Sequence, residues 1–367
     1  MAKSPLIWSV IHYGSLHLAL ALLGAQALVN AATEVETRTL DEIYKAALAE
    51  GGVVTLWHGG DELTQQNSLK AAFEAKFPGM TLNVTVDLSK YHDGNLDDQI
   101  AANNVFVDSI ILQTLHDYPR WSAEDALLDY APLGHDAILS EFKPNGTATY
   151  YGMFIIAWLN TWNSQKLPGV EAPVEWNDWL RPEFKDKLVL TYPNDDDAVL
   201  FAFDLIVKQY GAEWFDKLVA QNPRWVRGTQ TPRTILGKND TTWAATFTSS
   251  GSLNPTAPIN TSHPIEGRFV SWAQTGGILK NAPHPEGAKL LHSYMLSTEF
   301  QESRGGWSVR GDVKLPNNYT PILETPGTDP TAFGKWMSDR AAVERLRFWF
   351  EDRIGTAQGL SPLIDDL

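Results

Sequence analysis

Gly51–Phe77 constrains the fold more than any other stretch. It reads Gly-Gly-Val-Val-Thr-Leu-Trp-His-Gly-Gly-Asp-Glu-Leu and runs on into a long amphipathic segment. Val53–Trp57 is short, apolar and rich in β-branched residues. It follows a Gly-Gly break, so it predicts a buried strand. His58-Gly59-Gly60-Asp61 predicts a turn, with Asp61 able to cap the helix that follows. Leu69, Phe73 and Phe77 recur every four residues and give that helix one apolar face. Pro78-Gly79 ends it, and Leu82–Val86 predicts the next strand. Strand, turn, helix and strand make a βαβ start. The loop after its first strand lies at the carboxyl edge of the sheet, where backbone N–H groups at a helix start face a ligand. Trp57, His58, Gly59 and Asp61 are candidate contacts there.

The 367 residues exceed one ordinary core and predict two lobes. Hydrophobic content of 43% against 20% charged residues indicates a globular chain. A net charge of −15 argues against nucleic acid or an anionic membrane as partner. A small anion remains compatible with it, because backbone dipoles and one arginine can hold one. Without cysteine there is no disulfide framework, thiolate metal site or cysteine nucleophile. Met1–Ala31 has a basic start at Lys3, an apolar run at Leu16–Leu23 and small-residue cleavage patterns, so it reads as a secretory signal peptide. Glycosylation acceptor patterns stand at Asn83, Asn145, Asn239, Asn260 and Asn318, which suits a secreted eukaryotic glycoprotein.

Along the chain, Leu40–Leu48 predicts a helix, Tyr91–Gly94 a turn, Leu96–Ala102 a helical stretch and Val107–Leu112 a doubly covered strand. Gln113 and Thr114 then fall at the same sheet edge as His58. Tyr150–Asn160 is apolar and β-prone, suited to carry the chain between lobes. Strands are predicted at Lys187–Tyr192, Arg224–Arg227, Thr242–Phe247 and from Phe269, the last closed by Thr275-Gly276-Gly277. Helices are predicted after Pro193–Asp197 through Gln209, at Gly211–Gln221, from Pro285 to Leu296 and as one run over Phe333–Phe350. Thr298 and Gln301 have the spacing of a capping box. Asp195-Asp196-Asp197 reads as a solvated helix start, since no calcium-loop pattern follows it.

Taken in order, Gly51–Gly60, Leu69–Pro78, Val107–Leu112, Phe184–Pro193 and Gly276–Gln301 resemble extracellular solute-binding proteins of the ferric-iron ABC-transporter type. The resemblance spans nearly all of the chain after the leader. It implies an α/β, two-lobed, periplasmic-binding-protein-like type II fold, each lobe a mixed sheet flanked by helices, with a ligand cleft between. Beyond the signal peptide at 1–31, the division it implies is a first lobe at 32–153 with a return at 267–302, and a second lobe at 154–266 with C-terminal helices at 303–367. Iron-binding members use a tyrosine pair late in the second lobe, where this chain has Thr248-Ser249-Ser250. Hydroxyls there suit an oxyanion or polar organic ligand better than ferric iron. The resemblance also implies a membrane transporter as partner, and the leader and sequons indicate a secreted, fungal-like member.

The expected ligand contacts are therefore Trp57, His58, Gly59, Asp61, Gln113, Thr114, Arg227, Thr229, Thr248, Ser249, Ser250 and Trp272. Arg227, at a strand end, is the candidate clamp for a carboxylate or phosphate, because its fork can donate two parallel bonds. Trp57 and Trp272 are candidate cleft walls. No Gly-x-Ser-x-Gly, His-Glu-x-x-His or P-loop pattern occurs, and no carboxylate pair is singled out by spacing. The reading is a secreted, monomeric, non-catalytic binder of a small polar or anionic ligand, without cofactor. A ferric-iron or other metal binder and a secreted glycoside hydrolase are the alternatives.

Overall fold

A computed structural model describes residues 32–364. The leader expected at 1–31 lies outside the described residues. Helix α1 (Leu40–Glu50) starts at a capping box, in which Thr39 accepts from the backbone of Glu42 and the Glu42 carboxylate accepts from that of Thr39. Strand β1 (Val53–Gly59) follows and is longer than the apolar run alone: His58 and Gly59 still pair with β2. Helix α2 (Asn67–Lys76) buries Leu69 and Phe73, and Phe77 is buried just past its end. It is capped at Gln66 without a side-chain bond, so Asp61 is not its cap. Strand β2 (Thr81–Asp87) lies parallel to β1. Helix α3 (Ser89–Ala101) runs straight through Tyr91–Gly94, where a turn was expected. The reason is tertiary: buried His92 stacks on Trp57 at a ring separation of 4.8 Å. Strand β3 (Ser109–Leu112) completes this half, parallel to β1 and wholly buried.

Strand β4 (Tyr151–Ala157) is followed within three residues by β5 (Asn160–Asn163), which belongs to a different sheet. The chain thus crosses between lobes at Trp158-Leu159, inside the stretch expected to do so. The second lobe contains β6 (Val189–Thr191), α4 (Asp197–Tyr210), α5 (Ala212–Ala220), β7 (Arg224–Val226), α6 (Thr231–Gly237), β8 (Ala245–Thr246) and β9 (Ile259–Ser262). Strand β5 pairs antiparallel with β8 and β9, while β6 and β7 pair in parallel. A bridge between Leu188 and Ala245 joins the two sets. Phe247 is the centre of this core, with the rings of Trp176, Trp179, Phe203 and Trp214 around it.

Strand β10 (Ser271–Ile278) returns to the first sheet, whose order is β2-β1-β3-β10-β4. It is antiparallel to both neighbours and continues through Thr275-Gly276-Gly277 rather than ending there. Gly276 sits where a side chain would collide: a Cβ would stand 2.7 Å from Met153 Cγ. Helix α7 (Pro285–Met295) packs on α1 and β1. The cap of the next short helix is Ser297, which accepts from Phe300 N, not Thr298. The expected Phe333–Phe350 helix is two: α8 (Ala332–Met337) and α9 (Arg340–Ile354), broken at Ser338-Asp339, where Asp339 caps α9. Both pack against α4. No helix among the described residues is long and apolar enough to cross a membrane.

Candidate functional site

The carboxyl ends of β1 and β3 face loops of the second lobe across a cleft. Two cavities of about 880 and 1100 Å³, counted to their open mouths, lie side by side in it. They share Gly59, Gln65, Ile156, Ser250 and Gln274 as walls. Such dimensions suit a small metabolite.

The first cavity is where the lobes meet. Asp61 leaves the end of β1 and is only 2% exposed. Its Oδ2 accepts from the backbone N–H groups of Thr229 and Gln230 in the second lobe, at 2.9 Å for Gln230. Gly228 makes this possible. Its φ of +79° turns the chain, and a Cβ there would stand 2.8 Å from Asp61 Oδ2. The neighbouring Glu62 accepts from Thr234 Oγ1 at 2.5 Å. Lys90, on α3, donates to both the carbonyl and the carboxylate of Asp195 at 2.9 Å. Three polar ties thus cross the cleft. Burial pushes the Asp61 carboxyl up, although the two N–H donors oppose this.

The three consecutive aspartates are not a solvated run. Asp195 takes Lys90 and Arg227, Asp196 caps α4 by accepting from Val199 N, and Asp197 takes Arg340 and Arg347. Burial raises Asp196 to about 6. Gln113 and Thr114 reach the cavity from the end of β3, and the Thr114 hydroxyl is buried without a partner. Trp158 and Trp272 form one wall, edge to face at 4.9 Å.

The second cavity differs in sign. Arg233, on α6, and Arg304, after the helix Thr298–Ser303, both line it. Neither forms an ion pair among the described residues. Arg233 donates to the carbonyl of Ser250 at 3.1 Å. Arg304 lies 3.7 Å above the centre of the Phe154 ring. It is open to the cavity yet ringed by protein, and desolvation lowers its guanidinium to about 10. His58 adds a neutral imidazole. Its Nδ1 lies 2.7 Å from the Gly59 carbonyl, which can only accept, so the proton is assigned to Nδ1 and Nε2 is left as a buried acceptor. Desolvation first, then Arg304, holds His58 down to about 4, against the opposing bond to Gly59.

The expected contacts therefore separate. His58, Gly59, Asp61, Gln113, Thr114, Thr229, Ser250 and Trp272 all line one or both cavities. Trp57 does not face the cleft; it stacks on His92 and meets Phe106 edge-on at the other face of the sheet. Thr248 is fully buried and bonded to Thr191, and Ser249 is fully buried behind Ser250. Arg227 is not the clamp: its Nε and Nη2 are taken by Asp195 at 2.9 and 3.3 Å. Sequence reasoning missed Arg233 and Arg304. Arg304-Gly305-Gly306, an arginine beside a glycine pair after a helix, was the available signal for one of them.

Residues 130–304 match the family described as bacterial extracellular solute-binding protein. The matched segment includes β4 and β5, most of the second lobe, the return of β10 and α7, and ends at Arg304. A substrate-binding protein of an ABC transporter from Agrobacterium tumefaciens is similar in structure, with a TM-score of 0.67 at 13% identity, covering 84% of this chain and 96% of that one. AfuA from Actinobacillus pleuropneumoniae, solved with fructose-6-phosphate bound, has a TM-score of 0.62 at 19% identity, covering 84% and 100%. Iron-bound HitA from Pseudomonas aeruginosa has a TM-score of 0.59 at 14% identity, covering 80% and 99%. At these identities the likeness establishes the fold: an α/β periplasmic-binding-protein type II architecture with its cleft between two lobes. No curated protein matches the chain.

Proposed function

We propose that this chain is a non-catalytic solute-binding protein that closes its lobes on a small anionic metabolite, with Arg233 and Arg304 as the anion's partners. One observation carries the reading. In a chain of net charge −15, two arginines without a carboxylate line one cleft cavity. Desolvated guanidinium groups gain most from an oxyanion brought in by the ligand. Ser250, Gln65 and Gln274 add polar groups at the border of the cavities. Gly59, Gln113, Thr114, Thr229 and Trp272 are further ligand-facing positions in this reading. The division into lobes read from the sequence is kept with its first boundary moved from 153/154 to Trp158-Leu159, and with the C-terminal helices on the second lobe. AfuA, with its bound sugar phosphate, gives the class of ligand to try first. A metal centre is the poorer reading, because the second-lobe tyrosine pair is replaced by Thr248-Ser249-Ser250.

A secreted monomer serving a membrane transporter is the corresponding biology. Its eukaryotic, fungal-like origin and its glycosylation rest on the leader pattern and the sequons alone, while the three structures named above come from bacteria.

The test is calorimetric titration of the purified chain with fructose 6-phosphate, inorganic phosphate and ferric citrate. At least one phosphate should bind, and Arg304→Ala and Arg233→Ala should each weaken it by about tenfold or more, equivalent to about 1.4 kcal/mol. Binding of ferric citrate alone, or phosphate binding indifferent to both substitutions, would refute the reading.

A further inference from the structure

The two cavities have opposite unmet charges. On one side stand Arg233 and Arg304, with no acid against either. On the other stands Asp61, with no cation against it: the groups that act on its carboxyl are the backbone N–H groups of Gln230 and Thr229, the Thr229 hydroxyl and the like charge of Glu62. Its Oδ2 is used by the tie to the second lobe. Its Oδ1 is buried, unpartnered, and belongs to a side chain that lines the first cavity. Among the other acids of that cavity, Asp195 is matched by Lys90 and Arg227 and Asp197 by Arg340 and Arg347, while Asp196 caps α4 without an ion pair; of the four, Asp61 is the one with a buried oxygen that has no partner.

A buried carboxylate oxygen without a donor is costly, and a guanidinium without a carboxylate gains from an oxyanion. An anion alone would satisfy only the arginine end. Gln65 and Ser250 line both cavities, so a single molecule can reach from one to the other. We propose that the ligand is a zwitterion: a phosphate ester or similar oxyanion held at Arg233 and Arg304, carrying an ammonium group that pairs with Asp61 Oδ1. Asp61 then has two roles at once. It holds the lobes together through Oδ2 and reads the ligand's positive end through Oδ1, so closure and recognition share one carboxylate. The inference rests on the anion-binding reading and narrows its ligand class.

Two probes of nearly equal size separate the ideas. O-phosphoethanolamine carries both charges; 2-hydroxyethyl phosphate carries only the negative one. Titrated into the whole chain, the first should bind at least about tenfold more tightly than the second. Asp61→Asn keeps an oxygen for the Thr229 and Gln230 N–H groups but removes the charge. It should abolish most of that preference, read as the ratio of the two affinities within the variant, so that any change in lobe closure common to both probes cancels. Equal affinities in the parent chain, or a preference that survives Asp61→Asn, would overturn the zwitterion while leaving anion capture intact. Failure of both probes, together with inorganic phosphate and fructose 6-phosphate, would overturn anion capture and this inference with it.

Discussion

Arg227 and Arg304 differ in what faces them, and the sequence does not show it. Both follow a regular element and precede a glycine. Asp195 lies 32 positions before Arg227, and only the parallel pairing of β6 with β7 brings the two together. Arg304 meets an aromatic ring instead. Asp61 was legible as a capping residue, but the N–H groups it satisfies lie 168 and 169 positions away. Local chemistry was readable here; the identity of the partner was not. His58 makes a prediction at this scale. Its folded-state pKa, about 4, lies below the unfolded value of about 6.5. The resulting stability is present above pH 6.5 and lost as pH falls through 4, on the order of 3 kcal/mol. His58→Gln should flatten the pH dependence of the unfolding free energy across that window, measured by urea denaturation at pH 7 and pH 4. An unchanged slope would show that His58 is not a buried neutral base.

At the scale of elements, βαβ patterning was readable because it is local: β1, α2 and β2 fall where apolar spacing and Pro78-Gly79 put them. The misreadings came from residues whose role is tertiary. Tyr91–Gly94 has turn composition but stays helical because His92 packs on Trp57. Gly276 and Gly277 look like a terminator but permit close packing inside β10. The join between α4 and α9 rests on Asp197, which accepts from Arg340 Nη1 at 2.6 Å and from Arg347 Nη2. The Asp197 side chain is 8% exposed and that of Arg347 is 21% exposed, so removing the acid leaves two partly buried arginines with Glu344 as their remaining acid. Asp197→Ala should lower the unfolding free energy by about 3 kcal/mol, read from chemical denaturation. A loss below about 1 kcal/mol would place this pair among ordinary surface ion pairs.

For the whole molecule, the two-lobed architecture was readable from the order of motifs, and the crossing at Trp158-Leu159 lies within the stretch suited to it. What was not readable is the closed arrangement, since Asp61, Glu62 and Lys90 all bind partners more than 100 positions away. These ties favour the closed state in their own right. Asp61→Ala should therefore shift the free protein toward an open form, seen as a larger radius of gyration in small-angle X-ray scattering. An unchanged radius would mean that Lys90–Asp195 and Thr234–Glu62 suffice. The placing of β10 has a consequence for synthesis. It sits between β3 and β4, so the first sheet has a gap in its middle until Ile278 has been made. Helix α7, which covers α1 and β1, comes later still. The amino-terminal lobe cannot mature domain by domain as the ribosome advances. Its sheet must wait for most of the polypeptide to be made.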